Sequence, residues 1–119
     1  MSFLCLQSLP LPRRSPTRLR DSLREGDTLG RQGGDEFVVL IEDAATREGL
    51  ADVAEKILET VAQPIEVAGA SYRLTASVGI SLSPEHGADA QVLLQRADMA
   101  MYRSKELGKN TFRFYMPAD

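Results

Sequence analysis

The residues best suited to chemistry lie in one short segment, Gly33-Gly34-Asp35-Glu36-Phe37, in which two glycines precede two carboxylates. Glycines let a phosphate approach the backbone closely and leave N–H groups available as donors. Carboxylate oxygens suit Mg²⁺, which usually sits between one or two carboxylates and the substrate phosphates. The segment therefore fits phosphate chemistry assisted by a divalent metal. A hairpin with an acidic, solvated tip explains the spacing equally well, because such tips favour Gly and Asp.

Two strands would have to position this segment. The unbroken apolar run Phe37-Val38-Val39-Leu40-Ile41 predicts a buried central strand. Asp27–Arg31, on the other side of the glycines, is long enough to form its partner, and Gly-Gly between two such segments is a hairpin signal. We therefore predict a tight β-turn with the glycines at its tip and with Asp35 and Glu36 just past it.

The middle of the chain carries two regular hydrophobic patterns. Apolar residues at helical spacing from Leu50 to Val61 predict a helix that begins at a cap, Thr46 or Asp43. Period-two alternation over Tyr72–Ser83 predicts a strand with one buried face. Ile65-Glu66-Val67 is expected to form a hairpin with the beginning of that strand.

The remaining patterns are shorter. We expect a short helix over Ser15–Gly26, and a long helix that Asp89 caps and Gly108 ends. Phe112–Tyr115 predicts a closing strand. His86 is the one histidine of the chain, and without a second histidine or a cysteine nearby it predicts a loop residue with no metal-binding role.

Composition limits the class of protein. A chain of 119 residues corresponds to one domain at most, and a net charge of −3 argues against general nucleic-acid binding. The single cysteine, Cys5, excludes an internal disulfide and fits a reducing compartment. No apolar run approaches the ~20 residues that span a bilayer. We therefore expect a cytoplasmic domain, whose parent protein could still be membrane-anchored.

The signature segment and several others resemble the GGDEF domain family, the diguanylate cyclases, which is named after Gly-Gly-Asp-Glu-Phe. The other similar segments, in the family's order, are Arg24–Asp27, Thr75–Ser81, Ala97–Lys105 and Gly108–Asn110. The similarity runs from about residue 18 to about residue 116. We accordingly divide the chain into an unmatched N-terminal tail, residues 1–17, and a partial GGDEF domain, residues 18–116.

The resemblance implies an α+β fold (an α/β sandwich), with a mostly antiparallel sheet and packed helices like the palm of nucleotide cyclases and polymerases. Family members begin with a strand that bears a metal-binding Asp and a helix that bears guanine-contacting residues. Met1–Thr17 resembles neither, and Pro10, Pro12 and Pro16 interrupt it. We therefore expect a loose tail and a sheet that lacks its first strand.

The resemblance also implies an activity. Two family domains meet as a homodimer and condense two GTP molecules into cyclic di-GMP and two pyrophosphates, with Mg²⁺ or Mn²⁺ as the cofactor. Carried over to this sequence, the catalytic residues are Asp35, also the metal ligand, and Glu36, and the substrate-binding residues are Gly33, Gly34, Lys105 and Lys109. Lysines at a helix C-terminus also complement the helix dipole, so this basic pair has a structural explanation as well.

A second site is implied upstream of the turn. In the family, an Arg-x-x-Asp set binds the product, cyclic di-GMP, as an inhibitor, and here its members are Arg24 and Asp27, with Lys56 as a further basic residue. A guanidinium fork suits phosphate or a guanine edge. Without the resemblance, an Arg at a helix end beside an exposed Asp would be sufficient explanation.

Three hypotheses follow from the sequence. The first is a diguanylate cyclase domain that is inactive alone because the N-terminal metal-binding and guanine-binding part is missing. The second is a degenerate module that binds cyclic di-GMP through Arg24 and Asp27 without catalysis. The third is a fragment that binds neither nucleotide. Phe114-Tyr115-Met116-Pro117 resembles the exit of GGDEF domains that precede an EAL phosphodiesterase domain, and the sequence leaves open whether such a domain follows.

Overall fold

The fold is a mixed sheet with a helix on each face. A computed structural model describes residues 2–9, 23, 27–31, 36–41, 46–72, 75–108 and 110–117. Its strands are β1 (Ser2–Leu9), β2 (Thr28–Arg31), β3 (Glu36–Ile41), β4 (Ile65–Val67), β5 (Ala70–Tyr72), β6 (Thr75–Leu82) and β7 (Thr111–Phe114). The helices are α1 (Arg47–Ala62) and α2 (Ala90–Glu106). The short helix predicted over 15–26 falls almost wholly outside the described residues.

Five strands form one sheet in the order β2-β3-β1-β6-β7. The pairs β2–β3, β3–β1 and β1–β6 are antiparallel, and β6–β7 is parallel. The predicted α+β class with a mostly antiparallel sheet is therefore confirmed. A hairpin at Ile65–Val67 is confirmed, but its partner is β5 in a separate two-stranded sheet and not the beginning of the long strand β6.

The expectation of a loose tail and a missing first strand is wrong for residues 2–9. β1 is the middle strand of the sheet, and its Leu4 pairs with Val39 on one side and Ile80 on the other. Phe3, Leu4 and Cys5 are buried. A strand covered on both faces needs only a short continuous apolar run, with no alternation to reveal it. The prolines begin at Pro10, after the strand has ended.

The two helices cover opposite faces of the sheet. On one face, Leu50, Ala54, Ile57 and Val61 of α1 pack with residues that include Leu4, Phe37 and Ile80. On the other face, Leu93, Ala97 and Met101 of α2 pack with Phe3 and Cys5 of β1. Alternate residues of β1 and β3 therefore point to different helices.

β6 is buried on both faces, so the prediction of a strand with one buried face is wrong. Ala76, Val78, Ile80 and Leu82 join the core under α1. The small residues between them lie under α2, where the Ser81 hydroxyl donates a hydrogen bond to the Leu93 carbonyl oxygen at 2.5 Å. Small side chains on this face let the helix backbone approach the strand.

Both long helices begin at the predicted kinds of residue. The Thr46 side chain accepts a hydrogen bond from the Gly49 N–H, and the Asp89 side chain accepts from the Gln91 and Val92 N–H groups. The helix α2 ends at Glu106, and Leu107, which follows it, is exposed. Within the described residues, no helix combines the length and hydropathy needed to cross a membrane.

Candidate nucleotide site

The two strands that flank the signature segment pair with each other as predicted. Arg31, the last residue of β2, pairs with Phe37, and Thr28 pairs with Leu40. Phe37, Val39 and Ile41 are buried, which anchors β3 against α1. Gly33, Gly34 and Asp35 lie outside the described residues. β2 thus ends before the signature segment, and β3 starts at its Glu36.

Glu36 is the first residue of β3 and is partly buried. Its side chain lies on the α2 face of the sheet, because it alternates with Phe37 and shares its face with Val38 and Leu40, which pack against the α2 cluster. Its partner across the ladder is Gln7 of β1.

The described residues do not assemble a divalent-metal site. No group of three or more His, Cys, Asp or Glu side chains among them is placed to hold a metal ion. β1, the strand that flanks the start of β3, has the sequence Ser-Phe-Leu-Cys-Leu-Gln-Ser-Leu and contains no carboxylate. Hydroxyl and amide groups are poor replacements for the charged oxygens that Mg²⁺ favours. The described residues of β1 and β3 therefore do not by themselves fit the cofactor that the resemblance implies.

Glu36 and a second acidic residue, Asp98, lie near the buried thiol of Cys5 on the α2 face of the sheet. Burial, together with the nearby charges of Asp98 and Glu36, raises the pKa of the Cys5 thiol to about 12. Asp98 lies on α2, and its Oδ1 is buried without a hydrogen-bond partner among the described residues. Sequence reasoning missed Asp98 as an individual residue, although it lies within the segment that resembles the family's last helix. Glu36 and Asp98 therefore share one side of the sheet.

Lys105 lies on the same helix as Asp98, two turns further on. It is partly buried, and its Nζ lies 5.3 Å from the centre of the Tyr102 ring, within cation–π range. It belongs to the last turn of α2 together with Arg103, where cations complement the helix dipole. Lys109 lies outside the described residues. The helix that carries Lys105 therefore lies on the same side of the sheet as the Glu36 side chain.

The residues assigned to product binding belong to other parts of the fold. Asp27 directly precedes β2 and is partly buried, and Lys56 is exposed on α1. Arg24 lies outside the described residues. Because α1 and α2 cover opposite faces, Lys56 is separated from Glu36 and Lys105 by the sheet. The sequence-based assignment of two different sites is compatible with this division.

His86, predicted to be an ordinary loop residue, is buried between β6 and α2. Its Nδ1 accepts a hydrogen bond from the Leu82 N–H at 3.1 Å, and its side chain is 5% exposed. Burial lowers its pKa, and the charge of Arg47 lowers it further. A lone histidine among turn residues gives no sequence signal for this environment.

Solved structures of GGDEF domains share this architecture. An EAL/GGDEF domain protein from M. capsulatus superposes with a TM-score of 0.88 and 34% identity, covering 98% of this chain and 84% of that chain. The GGDEF domain of PA1120 (YfiN or TpbB) from Pseudomonas aeruginosa superposes with a TM-score of 0.86 and 29% identity, covering 97% and 81%. Coverage this complete includes most of β1, so the strand occupies a position that these domains share.

Sequence comparison leads to the same class. The profile described as "Diguanylate cyclase, GGDEF domain" matches residues 13–111. The chain belongs to the GGDEF domain family. The profile match begins after β1, which agrees with the absence of family residues in that strand.

Curated relatives carry names for opposite activities. The bifunctional diguanylate cyclase/cyclic di-GMP phosphodiesterase MucR of Pseudomonas aeruginosa is 41% identical over 98 residues, which is 82% of this chain and 14% of that protein. The cyclic di-GMP phosphodiesterase PdeR of Escherichia coli is 38% identical over 95 residues, 80% of this chain and 14% of that protein. The chain thus spans about one seventh of the length of these relatives. Their names alone do not decide whether a given GGDEF domain is catalytic.

Proposed function

We propose that this chain is a diguanylate cyclase domain by descent, that it binds GTP at the β2–β3 turn, and that it does not by itself condense GTP to cyclic di-GMP. The observation that carries the loss of turnover is the register of β1, in which Gln7 pairs with Glu36. No residue of that strand is a carboxylate. Asp35 would therefore lack the acidic partner that the family's first strand provides.

Two features support GTP as the ligand. The signature glycines lie between paired strands, where backbone N–H groups suit phosphate. Lys105 belongs to α2, which covers the face of the sheet to which Glu36 points, and its charge would offset that of a triphosphate. Relatives such as the diguanylate cyclase TpbB of Pseudomonas aeruginosa, 37% identical over 97 residues, are named for this chemistry. Turnover would additionally require a homodimer and Mg²⁺ or Mn²⁺, as the resemblance implies.

A turnover assay tests the proposal. The purified chain is incubated with GTP and Mg²⁺ or Mn²⁺, and the products are separated by chromatography, with the GGDEF domain of TpbB as the positive control. We expect no cyclic di-GMP from this chain and saturable binding of a fluorescent GTP analogue. Formation of cyclic di-GMP would contradict the proposed inactivity, and absence of GTP binding would contradict the proposal that GTP is the ligand.

A gain-of-function variant tests the stated cause. Gln7→Asp places a carboxylate opposite Glu36, so we expect it to bind Mn²⁺ more tightly than the unmodified chain, as measured from the electron paramagnetic resonance signal of free Mn²⁺. Gln7→Asn, which keeps an uncharged amide at the same position, is the matched control. Equal Mn²⁺ binding by all three chains would mean that the composition of β1 is not what limits metal binding.

A second candidate function is the binding of cyclic di-GMP without catalysis, through Arg24 and Asp27. This function is favoured because Lys56 lies on α1, on the opposite face of the sheet from Glu36. Binding through Asp27 and Lys56 would therefore need no metal at the β2–β3 turn. Isothermal titration with cyclic di-GMP tests it directly. Arg24→Ala should abolish binding, with Arg20→Ala as the control, and retained binding in Arg24→Ala would contradict this function.

A further inference from the structure

A cluster of charged and aromatic side chains surrounds His86 at a distance from the signature hairpin. We call it the His86 cluster, and its members are Arg47, Glu85, His86, Arg96 and Tyr115. They come from the start of α1, the loop after β6, α2 and the segment that follows β7. None of these residues is used by the proposed GTP site.

The contacts of His86 fix its protonation state. The imidazole is buried, and its Nδ1 accepts the Leu82 N–H at 3.1 Å. An acceptor nitrogen carries no proton, so the ring is neutral with its proton on Nε2. Protonation would place two donors against each other, which would leave the Leu82 N–H without its acceptor.

The charges around the ring do not favour a cation. Arg47 faces the ring from α1 and forms an ion pair with Glu85 at 2.9 Å. Glu85 is 4.0 Å from Nε2, but it is half-exposed and already paired. Arg96 of α2 donates a hydrogen bond to the His86 carbonyl oxygen at 2.6 Å, which holds a second positive charge nearby. A protonated His86 would therefore lie near two guanidinium groups, and the carboxylate nearest to it is already paired with one of them.

Tyr115 connects the His86 cluster to the segment that follows β7. Its ring meets the His86 ring edge to face, with centroids 5.5 Å apart, and Arg96 stacks over the same ring at 5.2 Å. Its backbone N–H donates to the Ile80 carbonyl oxygen at 2.8 Å. His86 and Arg96 thus hold the aromatic side chain by which the segment after β7 packs on the domain.

From this geometry we propose that His86 is a pH-sensitive contact, which holds the Tyr115–Pro117 segment on the domain when neutral and releases it when protonated. Release follows because a charged imidazole must leave its buried position, and its departure removes one of the two side chains packed on the Tyr115 ring. The direction agrees with the lowered pKa of His86, since the buried, neutral form is the one that the fold stabilises.

The single histidine makes this measurable in the complete chain. Imidazole signals of isotope-labelled His86 and ring signals of the tyrosines are followed by nuclear magnetic resonance from pH 8 to pH 4.5, with Tyr115→Phe to assign Tyr115. We expect the Tyr115 signals to change with the same midpoint as His86, and those of Tyr102 on α2 to stay unchanged at that midpoint. A His86 titration that leaves Tyr115 unaffected would overturn the proposal.

Two variants distinguish the proposed role of His86 from other effects of low pH on the protein. His86→Asn keeps an acceptor for the Leu82 N–H but does not titrate, so Tyr115 should become insensitive over the same pH range. Arg47→Gln changes an exposed residue and removes a charge that opposes protonation, so the midpoints of His86 and Tyr115 should rise together. A Tyr115 transition that persists in His86→Asn, or a His86 midpoint that moves without Tyr115, would each contradict the proposal.

Discussion

Gly79 of β6 lies so close to α2 that a Cβ atom on it would be 2.1 Å from the Ala97 carbonyl oxygen. The Met101 backbone nitrogen would be 2.2 Å away, so neither contact could be relieved by a side-chain rotation. The helix backbone rests directly on the strand at this point. The position of α2, and hence of Lys105 at its far end, depends on a residue without a side chain.

Replacement of Gly79 by Ala should therefore destabilise the domain strongly. We expect a loss of about 3 kcal/mol in the free energy of unfolding, at the upper end of overpacking effects, measured by urea denaturation. Gly30→Ala is the control, because a Cβ there has its nearest neighbour 4.0 Å away. Equal effects of the two substitutions would show that the α2 backbone can move aside.

Cys5 should be unreactive in the folded chain. Its side chain is fully buried in the middle strand, and burial raises its pKa to about 12, so little thiolate is accessible at pH 8. A colorimetric thiol reagent should label it only after urea is added. Ser71→Cys, which adds a thiol on the exposed β5 residue, should react at once. Rapid labelling of Cys5 without urea would mean that β1 does not occupy the centre of the sheet.

Position 68 should favour asparagine over the alanine that it carries. The two residues between β4 and β5 both have positive φ, 53° at Ala68 and 80° at Gly69, as in the hairpin turns that favour Asn-Gly. Alanine is strained in this region, so Ala68→Asn should stabilise the domain by about 0.5–1 kcal/mol. Hydrogen exchange of the hairpin amides measures the effect. Ala70→Asn, in the adjacent strand, should give no gain, and a similar gain there would point to a cause other than the turn.

The stability of the domain should fall in acid because of His86. Its pKa is lowered by folding, so above the ordinary value of about 6.5 both states are neutral and pH has no effect through this residue. As the pH falls further, the unfolded chain binds the proton first, and the free energy of unfolding decreases until the pH passes the folded-state pKa. Urea unfolding of the unmodified chain and of His86→Asn measures the difference. A difference independent of pH would contradict the expectation.

Lys105 should contribute to GTP binding if the proposed site is correct. Lys105→Gln removes one charge from the triphosphate, and we expect about tenfold weaker binding of GTP, or ~1.4 kcal/mol. Arg103→Gln is the control, because Arg103 is exposed in the same turn and pairs with Glu106 at 2.7 Å. Equal losses in the two variants would indicate a general effect of charge and not a contact.

The sequence predicted those parts of the fold that have a strong local pattern. The helical spacing from Leu50 to Val61 and the Asp89 cap are properties of neighbouring residues, and both are confirmed. β1 was missed because Phe3 to Leu6 is a short run whose partners, Val39 and Ile80 among them, lie far along the chain. No local rule reports such pairing.

The candidate site was predictable by residue type but not by arrangement. The resemblance singled out Glu36 and Lys105, and alternation of β3 together with the helix layers was needed to place them on one side of the sheet. The environment of His86 depends on Arg47, Arg96 and Tyr115, which come from three separate elements. Contacts of this kind arise only when those elements pack.

The position of β1 also affects the order in which the domain can assemble. β1 emerges from the ribosome before β3 and β6, yet its ladder with β6 joins Ser2 to Leu82. The sheet cannot close until that late strand has been synthesised, and closing so long a loop slows folding. Until then the apolar side chains of β1 stay uncovered, which makes this stretch a natural target for chaperones that bind nascent chains.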